Sequence, residues 1–213
     1  MTAFTISMLT LLAYLTGSVP FGLLLAKTRG VDIRNVGSGN IGATNVLRTL
    51  GKPLGITCFV LDVLKGYLPA ALFPMLGTGE NGFGILFGAA AILGHNFPVF
   101  LKFKGGKGVA TSAGVLLGVA PLAVAIGLFT WAIVFFVSGY VSLGSILASI
   151  AVVITAWAAG YGTVTAAALT LLGALSTWRH RANIQRLIAG TENKFERKKK
   201  KVEEQPTNHT NFH

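Results

Sequence analysis

Long apolar segments alternate with short polar ones along most of this chain. The apolar segments cover residues 3–26, 53–76 and 82–101, and residues 108–178 contain no Lys, Arg, Asp or Glu. A helix needs about 20 apolar residues to cross the hydrocarbon core of a bilayer. The pattern therefore predicts an all-α integral membrane protein, in which Gly17-Ser18-Val19-Pro20 interrupts the first span.

The charge-free stretch of residues 108–178 decides the number of spans. Basic loops flank it at both ends, and because positively charged loops stay cytoplasmic, it must hold an even number of crossings. Helix breaks at Ala120-Pro121, Ser138-Gly139-Tyr140 and Gly160-Tyr161-Gly162 favour four short crossings over two long ones. We therefore predict a bundle of about seven helices, some short or broken, with five spans as the alternative. The N-terminus is expected outside and the C-terminus in the cytoplasm.

The positive charge is confined to a few places. All 18 Lys and Arg residues except Lys65 fall in residues 27–52, 102–107 and 179–201. The net charge of +11 does not indicate nucleic-acid binding, because it lies at the ends of apolar runs, where anionic lipid headgroups attract it. We expect one polytopic membrane domain over residues 1–192, followed by a polybasic, polar cytoplasmic tail over residues 193–213 that contacts membrane lipid.

The first polar block, residues 37–48, is rich in glycine and in short side chains that donate hydrogen bonds. It contains the pattern G-x-G-x-x-G, but a membrane span precedes it instead of a strand, so a dinucleotide fold is not indicated. Glycines can free backbone N–H groups to surround a phosphate, and a helix N-terminus adds partial positive charge. We predict a helix over residues 43–50 that carries Arg48 toward such a site. The alternative is an ordinary glycine-rich turn.

The second block ends in Lys104-Gly105-Gly106-Lys107-Gly108, a flexible cationic loop before an apolar helix. It predicts a second phosphate clamp, and lysines that reach the membrane surface are the alternative. The third block, residues 178–192, places His180 and Asn183 on one face of a short amphipathic helix. His180 is a candidate for hydrogen bonding or acid–base chemistry, whereas His95 is more typical of a structural histidine.

Three polar or reactive residues lie inside apolar runs. Asp62 and Lys65 are three positions apart and can neutralise each other as a structural pair, but charges inside a membrane are also typical of functional sites. Both interpretations stay open from the sequence. Cys58 is the single cysteine, which excludes an internal disulfide and a cysteine-based metal cluster.

These blocks, in this order, resemble the bacterial acyl-phosphate glycerol-3-phosphate acyltransferase (PlsY) family. The segments that carry the resemblance are Gly17-Ser18-Val19-Pro20-Phe21-Gly22, residues 37–48, Asp62-Val63-Leu64-Lys65-Gly66, Gly94-His95-Asn96-Phe97-Pro98, residues 104–111, Ser142-Leu143-Gly144-Ser145, and the helix with His180 and Asn183 that ends in Gly190-Thr191-Glu192. No one segment is specific, but the ordered set is, and it spans residues 14–192.

The resemblance implies a membrane enzyme of phospholipid synthesis. It would move a fatty acyl group from acyl phosphate to the 1-hydroxyl of glycerol 3-phosphate, without acyl-CoA or acyl carrier protein, and without a cofactor or metal. It also implies a bacterial inner-membrane location with the site on the cytoplasmic face. The His-x-x-x-x-Asp motif of soluble-type acyltransferases is absent, since Phe100 and Gln185 lie five residues after His95 and His180.

Under this resemblance, two sets of residues form the site. The residues expected to surround the phosphate and carbonyl of the donor are Ser38, Arg48, Lys107, His180 and Asn183. The residues expected to bind phosphate are Gly37, Gly39, Asn40, Gly42, Thr44, Asn45, Lys104, Gly106 and Ser142. A transporter of a phosphorylated solute is the alternative function, favoured only by Asp62 and Lys65 within a span.

Overall fold

The computed structural model describes residues 2–76 and 81–195. Over these ranges the chain is helical and has no β-strand, which confirms the predicted all-α class. The helices are α1 (Ala3–Ser18), α2 (Phe21–Lys27), α3 (Ala43–Leu50), α4 (Lys52–Leu72), α5 (Gly84–Asn96), α6 (Val109–Val119), α7 (Pro121–Ser138), α8 (Val141–Ala158), α9 (Thr163–Arg179) and α10 (Arg181–Ile188). Short 3-10 turns join some of them.

The first apolar segment breaks where the sequence predicts. Helix α1 ends at Ser18 and α2 begins at Phe21. Pro20 has no amide hydrogen to continue the helix, and it restricts the preceding Val19 to extended backbone. The break leaves the Val19 carbonyl oxygen outside the helix, where it accepts a hydrogen bond of 2.8 Å from Lys65 Nζ of α4.

Glycines bring four of the helices into direct backbone contact. A Cβ added at Gly17 of α1 would lie 2.0 Å from the Ala91 carbonyl oxygen of α5. A Cβ at Gly114 of α6 would lie 1.9 Å from the Val63 carbonyl oxygen of α4. Small residues at such crossings are typical of membrane bundles, where packing rather than the hydrophobic effect holds helices together.

The charge-free stretch divides into four helices, α6 to α9, at the three predicted breaks. Five segments of the described chain are long and apolar enough to cross a membrane: Ala3–Lys27, Lys52–Leu76, Gly84–Leu101, Pro121–Ser138 and Val141–Ala158. Helix α6 has 11 residues and is therefore roughly 16 Å long, about half of the hydrocarbon core. The number of complete crossings and the orientation of the termini stay predictions.

Apolar side chains cover the outside of the bundle as well as its interior. On α7, Phe129, Phe136 and Val137 are more than 60% exposed, as expected where lipid replaces water. A buried cluster that includes Leu116, Val124 and other residues of α5 to α9 forms the largest part of the core.

The C-terminal segment contacts the bundle before the end of the described chain. Asn193, Lys194 and Phe195, which the sequence analysis assigns to the tail, lie against it, and the Phe195 amide donates to the Gly139 carbonyl oxygen at 3.0 Å. Residues 196–213, which include the polybasic run, lie outside the described residues. The division of the chain at residue 192 is otherwise still a prediction.

Candidate active site

The three basic segments meet around one cavity. Arg48 Nη2 donates to the Asn193 carbonyl oxygen at 3.0 Å, and Arg179 Nε donates to the Gly106 carbonyl oxygen at 3.0 Å. The cavity between these segments has a volume of about 440 Å³. The three basic segments, far apart in the sequence, therefore lie together in the fold.

The cavity has a polar end and an apolar wall. The polar end is formed by the loop before α3, by α3 itself, by the start of α6 and by the region of α10, with the side chains of Ser38, Thr44, Arg48, Lys107, His180 and Asn183. The apolar wall comes from α4 and α7, with Ile56, Phe59, Leu128, Trp131 and Phe135. One cavity thus offers both cationic donors and a long apolar surface.

The loop before α3 is built around the Asn45 side chain. Asn45 is buried; its Oδ1 accepts from the Ser38 amide at 2.9 Å, and its Nδ2 donates to the carbonyl oxygens of Val36 and Asn40. Gly37 has φ +60°, and a Cβ there would lie 2.3 Å from Asn45 Oδ1. Asn45 therefore shapes the loop through its side-chain amide and also lines the cavity, and its binding of phosphate stays a prediction.

Helix α3 begins at Ala43 with Gly42 as its N-cap and ends at Leu50, as the sequence predicts. Ser38, on the loop, is exposed and lines the cavity. Thr44 in the first turn and Arg48 one turn later also line the cavity. The loop and the helix start therefore bring the first set of predicted donors together.

The second cationic loop is held by Arg179, which the sequence analysis did not select. Its Nη2 donates to the carbonyl oxygens of Gly105 and Gly106 at 2.6 and 2.7 Å. A Cβ at Gly106 would lie 2.2 Å from His95 Nε2, so only glycine lets the loop lie this close to α5. This anchoring places Lys107 at the cavity.

Four of the predicted phosphate-binding residues do not line the cavity. They are Gly37, Gly39, Lys104 and Gly106. The two loop glycines and Gly106 set backbone geometry beside it, whereas Lys104 is exposed on the surface. Of the two lysines in this loop, Lys107 lines the cavity, whereas Lys104 does not.

Glu192 holds the α10 side of the site together, and the sequence analysis did not include it among the site residues. Glu192 Oε1 accepts from Asn183 Nδ2 at 2.7 Å and from Ser142 Oγ at 2.8 Å, and Oε2 accepts from Arg186 Nε at 2.7 Å. Asn183 Oδ1 in turn accepts from Lys107 Nζ at 2.5 Å. Ser142 lines the cavity, but its hydroxyl hydrogen points to Glu192 rather than into the space.

His180 lies buried at the join between α9 and α10. Its Nδ1 is 2.8 Å from the Ser176 carbonyl oxygen, and because a carbonyl oxygen can only accept, Nδ1 carries the hydrogen. Burial, together with the charge of Lys107, lowers the pKa of His180 to about 4. The ring is therefore neutral near pH 7, and its Nε2 is a hydrogen-bond acceptor.

Two cations give the polar end its positive charge. Burial is the main cause that lowers the pKa of Lys107 to about 8. Burial also lowers the pKa of Arg48 from its usual value, but a guanidinium stays charged in proteins. Arg48 and Lys107 thus form a site for an anion near neutral pH, and only Lys107 can lose its charge under mildly alkaline conditions.

Asp62 and Lys65 form a buried ion pair of 2.8 Å within α4. His95 Nδ1 lies 3.8 Å from Asp62 Oδ1 and 3.1 Å from Thr111 Oγ1 of α6. Lys65 also binds the carbonyl oxygen of Val19, so the pair fastens α4 to the break between α1 and α2. Asp62 and His95 line the cavity as well. Among the described residues, no group of three or more His, Cys, Asp or Glu is placed to hold a metal ion.

One signal for the missed residues was present in the sequence. Glu192 is the one acid between residues 179 and 195, in a segment that is otherwise basic, and an isolated acid there needs partners when buried. Arg179 carried no such signal, because its partners are backbone carbonyl groups of a distant loop.

The fold and the cavity define a membrane-embedded helical protein that can hold an anionic headgroup beside an apolar chain. A family described as "Glycerol-3-phosphate acyltransferase" matches residues 7–190. The chain belongs to this family.

Curated relatives and solved structures agree with the family assignment. The chain is 47% identical over 188 residues to a glycerol-3-phosphate acyltransferase of Aquifex aeolicus, covering 88% of this chain and 97% of that protein. It is 50% identical over 184 residues to one of Sinorhizobium fredii, covering 85% and 88%. Crystal structures of PlsY in glycerol 3-phosphate and lysophosphatidic acid forms superpose with TM-scores of 0.85 and 0.83 at 44% and 43% identity. They cover 90% of this chain and 96% and 95% of theirs.

Proposed function

We propose that this protein transfers a fatty acyl group from acyl phosphate to the 1-hydroxyl of glycerol 3-phosphate. The products are 1-acyl-glycerol 3-phosphate and inorganic phosphate, as in the first acylation of phospholipid synthesis. The observation that carries this proposal is the shared cavity, in which Arg48 and Lys107 lie at one end and an apolar wall from α4 and α7 at the other. The two crystal forms of PlsY, with glycerol 3-phosphate and with lysophosphatidic acid, support the same acceptor and product.

The reaction needs positioning and charge more than a strong nucleophile. The glycerol hydroxyl oxygen bonds to the acyl carbon, the bond from that carbon to the phosphate oxygen breaks, and the hydroxyl proton leaves with the phosphate. Arg48, Lys107 and the loop before α3 would bring two phosphate groups together against their repulsion, which is the kind of electrostatic work that dominates many enzymes. The neutral His180 would accept a hydrogen bond from the hydroxyl at Nε2 and orient it.

The donor and the location are part of the same proposal. We propose acyl phosphate as the donor, with acyl-CoA and acyl carrier protein not used, since the chain lacks the His-x-x-x-x-Asp motif. We place the protein in the inner membrane of a bacterium with the cavity on the cytoplasmic face. The basic segments around the cavity support that side, because positively charged loops stay cytoplasmic.

Acyl transfer by the purified protein in detergent or lipid tests the proposal. Glycerol 3-phosphate is the acceptor, and palmitoyl phosphate or palmitoyl-CoA is the donor. We expect lysophosphatidate and phosphate from palmitoyl phosphate and no product from palmitoyl-CoA. A folded protein that binds glycerol 3-phosphate but turns over neither donor would contradict the proposal and favour the transporter. The reverse donor preference would contradict the donor assignment alone.

The proposed role of Lys107 predicts a pH dependence. Burial lowers the pKa of Lys107 to about 8, so the free enzyme loses this cation as the pH rises through that value. Because the substrates are anions, kcat/KM should fall above about pH 8, after subtraction of spontaneous donor hydrolysis. Arginine stays charged over this range, so the Lys107→Arg variant should lack this alkaline decrease, whatever its absolute rate. The same decrease in the variant would contradict the assignment to Lys107.

A further inference from the structure

The short segment after α10, residues 192–195, lines the cavity with Glu192, Asn193 and Phe195; we call it the C-terminal strap. At its start Glu192 binds α8 and α10 through Ser142, Asn183 and Arg186. At its end the Phe195 amide donates to the Gly139 carbonyl oxygen in the turn between α7 and α8. The strap is thus fixed at both ends to different helices.

The strap also contacts a residue of the polar end. Arg48 Nη2 donates to the Asn193 carbonyl oxygen at 3.0 Å, and the Arg48 guanidinium lies 4.4 Å from the centroid of the Phe195 ring. Among the described residues, the hydrogen bond to the Asn193 carbonyl oxygen is the one that the Arg48 guanidinium donates. This bond and the contact with the Phe195 ring therefore orient the guanidinium. A cation held over an aromatic face is attracted to it, more strongly where water is excluded.

On its other side, Phe195 continues the apolar wall. Its ring packs edge-on to Phe135 at 5.7 Å between centroids, and Phe135 stacks on Trp131 at 4.9 Å. All three rings line the cavity together with Arg48. Phe195 therefore lies where the apolar wall meets the anion-binding end, which is where the reacting carbonyl of an acyl phosphate would lie.

We propose that Phe195 is a positioning residue that covers the bond between the acyl group and the phosphate, orients Arg48 and excludes water from the donor. This inference rests on the proposed function. The competing reaction is hydrolysis: a water oxygen bonds to the acyl carbon, the bond to the phosphate oxygen breaks, and a water proton leaves with the phosphate, giving fatty acid and inorganic phosphate. Exclusion of water from a closed site suppresses such side reactions.

The experiment measures how the donor is divided between the two acceptors. Purified wild type, Phe195→Ala and Phe195→Trp are incubated with palmitoyl phosphate and glycerol 3-phosphate, and lysophosphatidate and free palmitate are both quantified. Lys194→Ala is the matched control, because Lys194 lies on the strap over the Tyr140 ring and does not line the cavity. We expect Phe195→Ala to lower the ratio of transfer to hydrolysis by about tenfold. Phe195→Trp and Lys194→Ala should keep the ratio of the wild type.

Two outcomes would contradict the proposed role of Phe195. A folded Phe195→Ala variant with the partition ratio of the wild type would overturn the proposal, and so would an equal loss in Lys194→Ala. If Phe195→Ala does not fold, Phe195→Leu, which keeps apolar bulk without the aromatic face, takes its place in the same comparison.

A failure of the proposed function has a different signature, because the wild type then forms no lysophosphatidate at all. In that case the affinity for inorganic phosphate, measured by titration calorimetry, tests whether Phe195 orients Arg48. Weaker binding by the Phe195 variant than by the wild type and Lys194→Ala would support the orientation of Arg48 by the strap. Equal affinities would overturn it.

Discussion

Replacing Lys107 by methionine is expected to lower kcat/KM for acyl transfer by roughly 100- to 1000-fold, the range found when one preorganised donor is removed from a site of developing charge. Methionine keeps the length and the packing of the side chain but removes the cation that faces the cavity. The partner Asn183 Oδ1 loses its donor, while Glu192 keeps its bonds to Ser142 and Arg186. The helix bundle should therefore remain folded. Acyl transfer and thermal stability, measured on the same preparation, check both parts of this expectation.

Lys104→Met is the matched control for this prediction. It lies three residues earlier on the same loop, carries the same charge and receives the same substitution, but it is exposed and does not line the cavity. Its loss should change kcat/KM by less than a few fold, as expected for a surface charge that is screened by solvent. Equal losses in the two variants would mean that the loop attracts substrate only by its total charge, and would contradict the specific role of Lys107.

The comparison of these two lysines illustrates what the sequence could predict. Helix breaks and the start of α3 depend on local chemistry, such as the missing amide hydrogen of Pro20 and the glycine at position 42, so the pattern placed them at the observed residues. Which of two lysines in a five-residue loop faces the cavity depends on the Arg179 contacts with the loop carbonyls. Those contacts join residues more than 70 positions apart, and no local pattern encodes them.

Asn45 and Glu192 show the same difference between what local sequence encodes and what depends on the folded structure. The sequence indicated that short polar side chains gather in the loop before α3, and several of them line the cavity. It could not show which of these side chains shapes the loop, because Asn45 and Ser38 are both short and polar, and the burial of Asn45 appears only in the folded structure. Glu192 belongs to the Gly190-Thr191-Glu192 segment that contributes to the family resemblance. Its hydrogen bonds to Ser142 and Asn183 form only when the fold brings α8 and α10 together.

The second large effect is predicted for a substitution in the ion pair within α4, and it concerns the stability of the protein rather than catalysis. Lys65→Met should strongly destabilise the protein, by about 3–5 kcal/mol, because it leaves the Asp62 carboxylate buried without its partner and the Val19 carbonyl without its donor. Removing both charges at once, in Asp62→Asn with Lys65→Met, should recover much of this loss, since no uncompensated charge remains. The midpoint of thermal unfolding in detergent, detected by size-exclusion chromatography, ranks the stability of the wild type, Lys65→Met and the double variant.

The double variant also separates the two interpretations that the sequence left open for Asp62 and Lys65. A folded double variant with near-normal acyl transfer would show that the pair has a structural role, which is to connect α4 to the break between α1 and α2. A folded but inactive double variant would assign the pair a part in the reaction, in agreement with the position of Asp62 on the cavity lining beside His95. A single Lys65→Met variant as stable as the wild type would contradict the prediction itself, because it would mean that the Asp62 carboxylate does not depend on Lys65 in the folded protein.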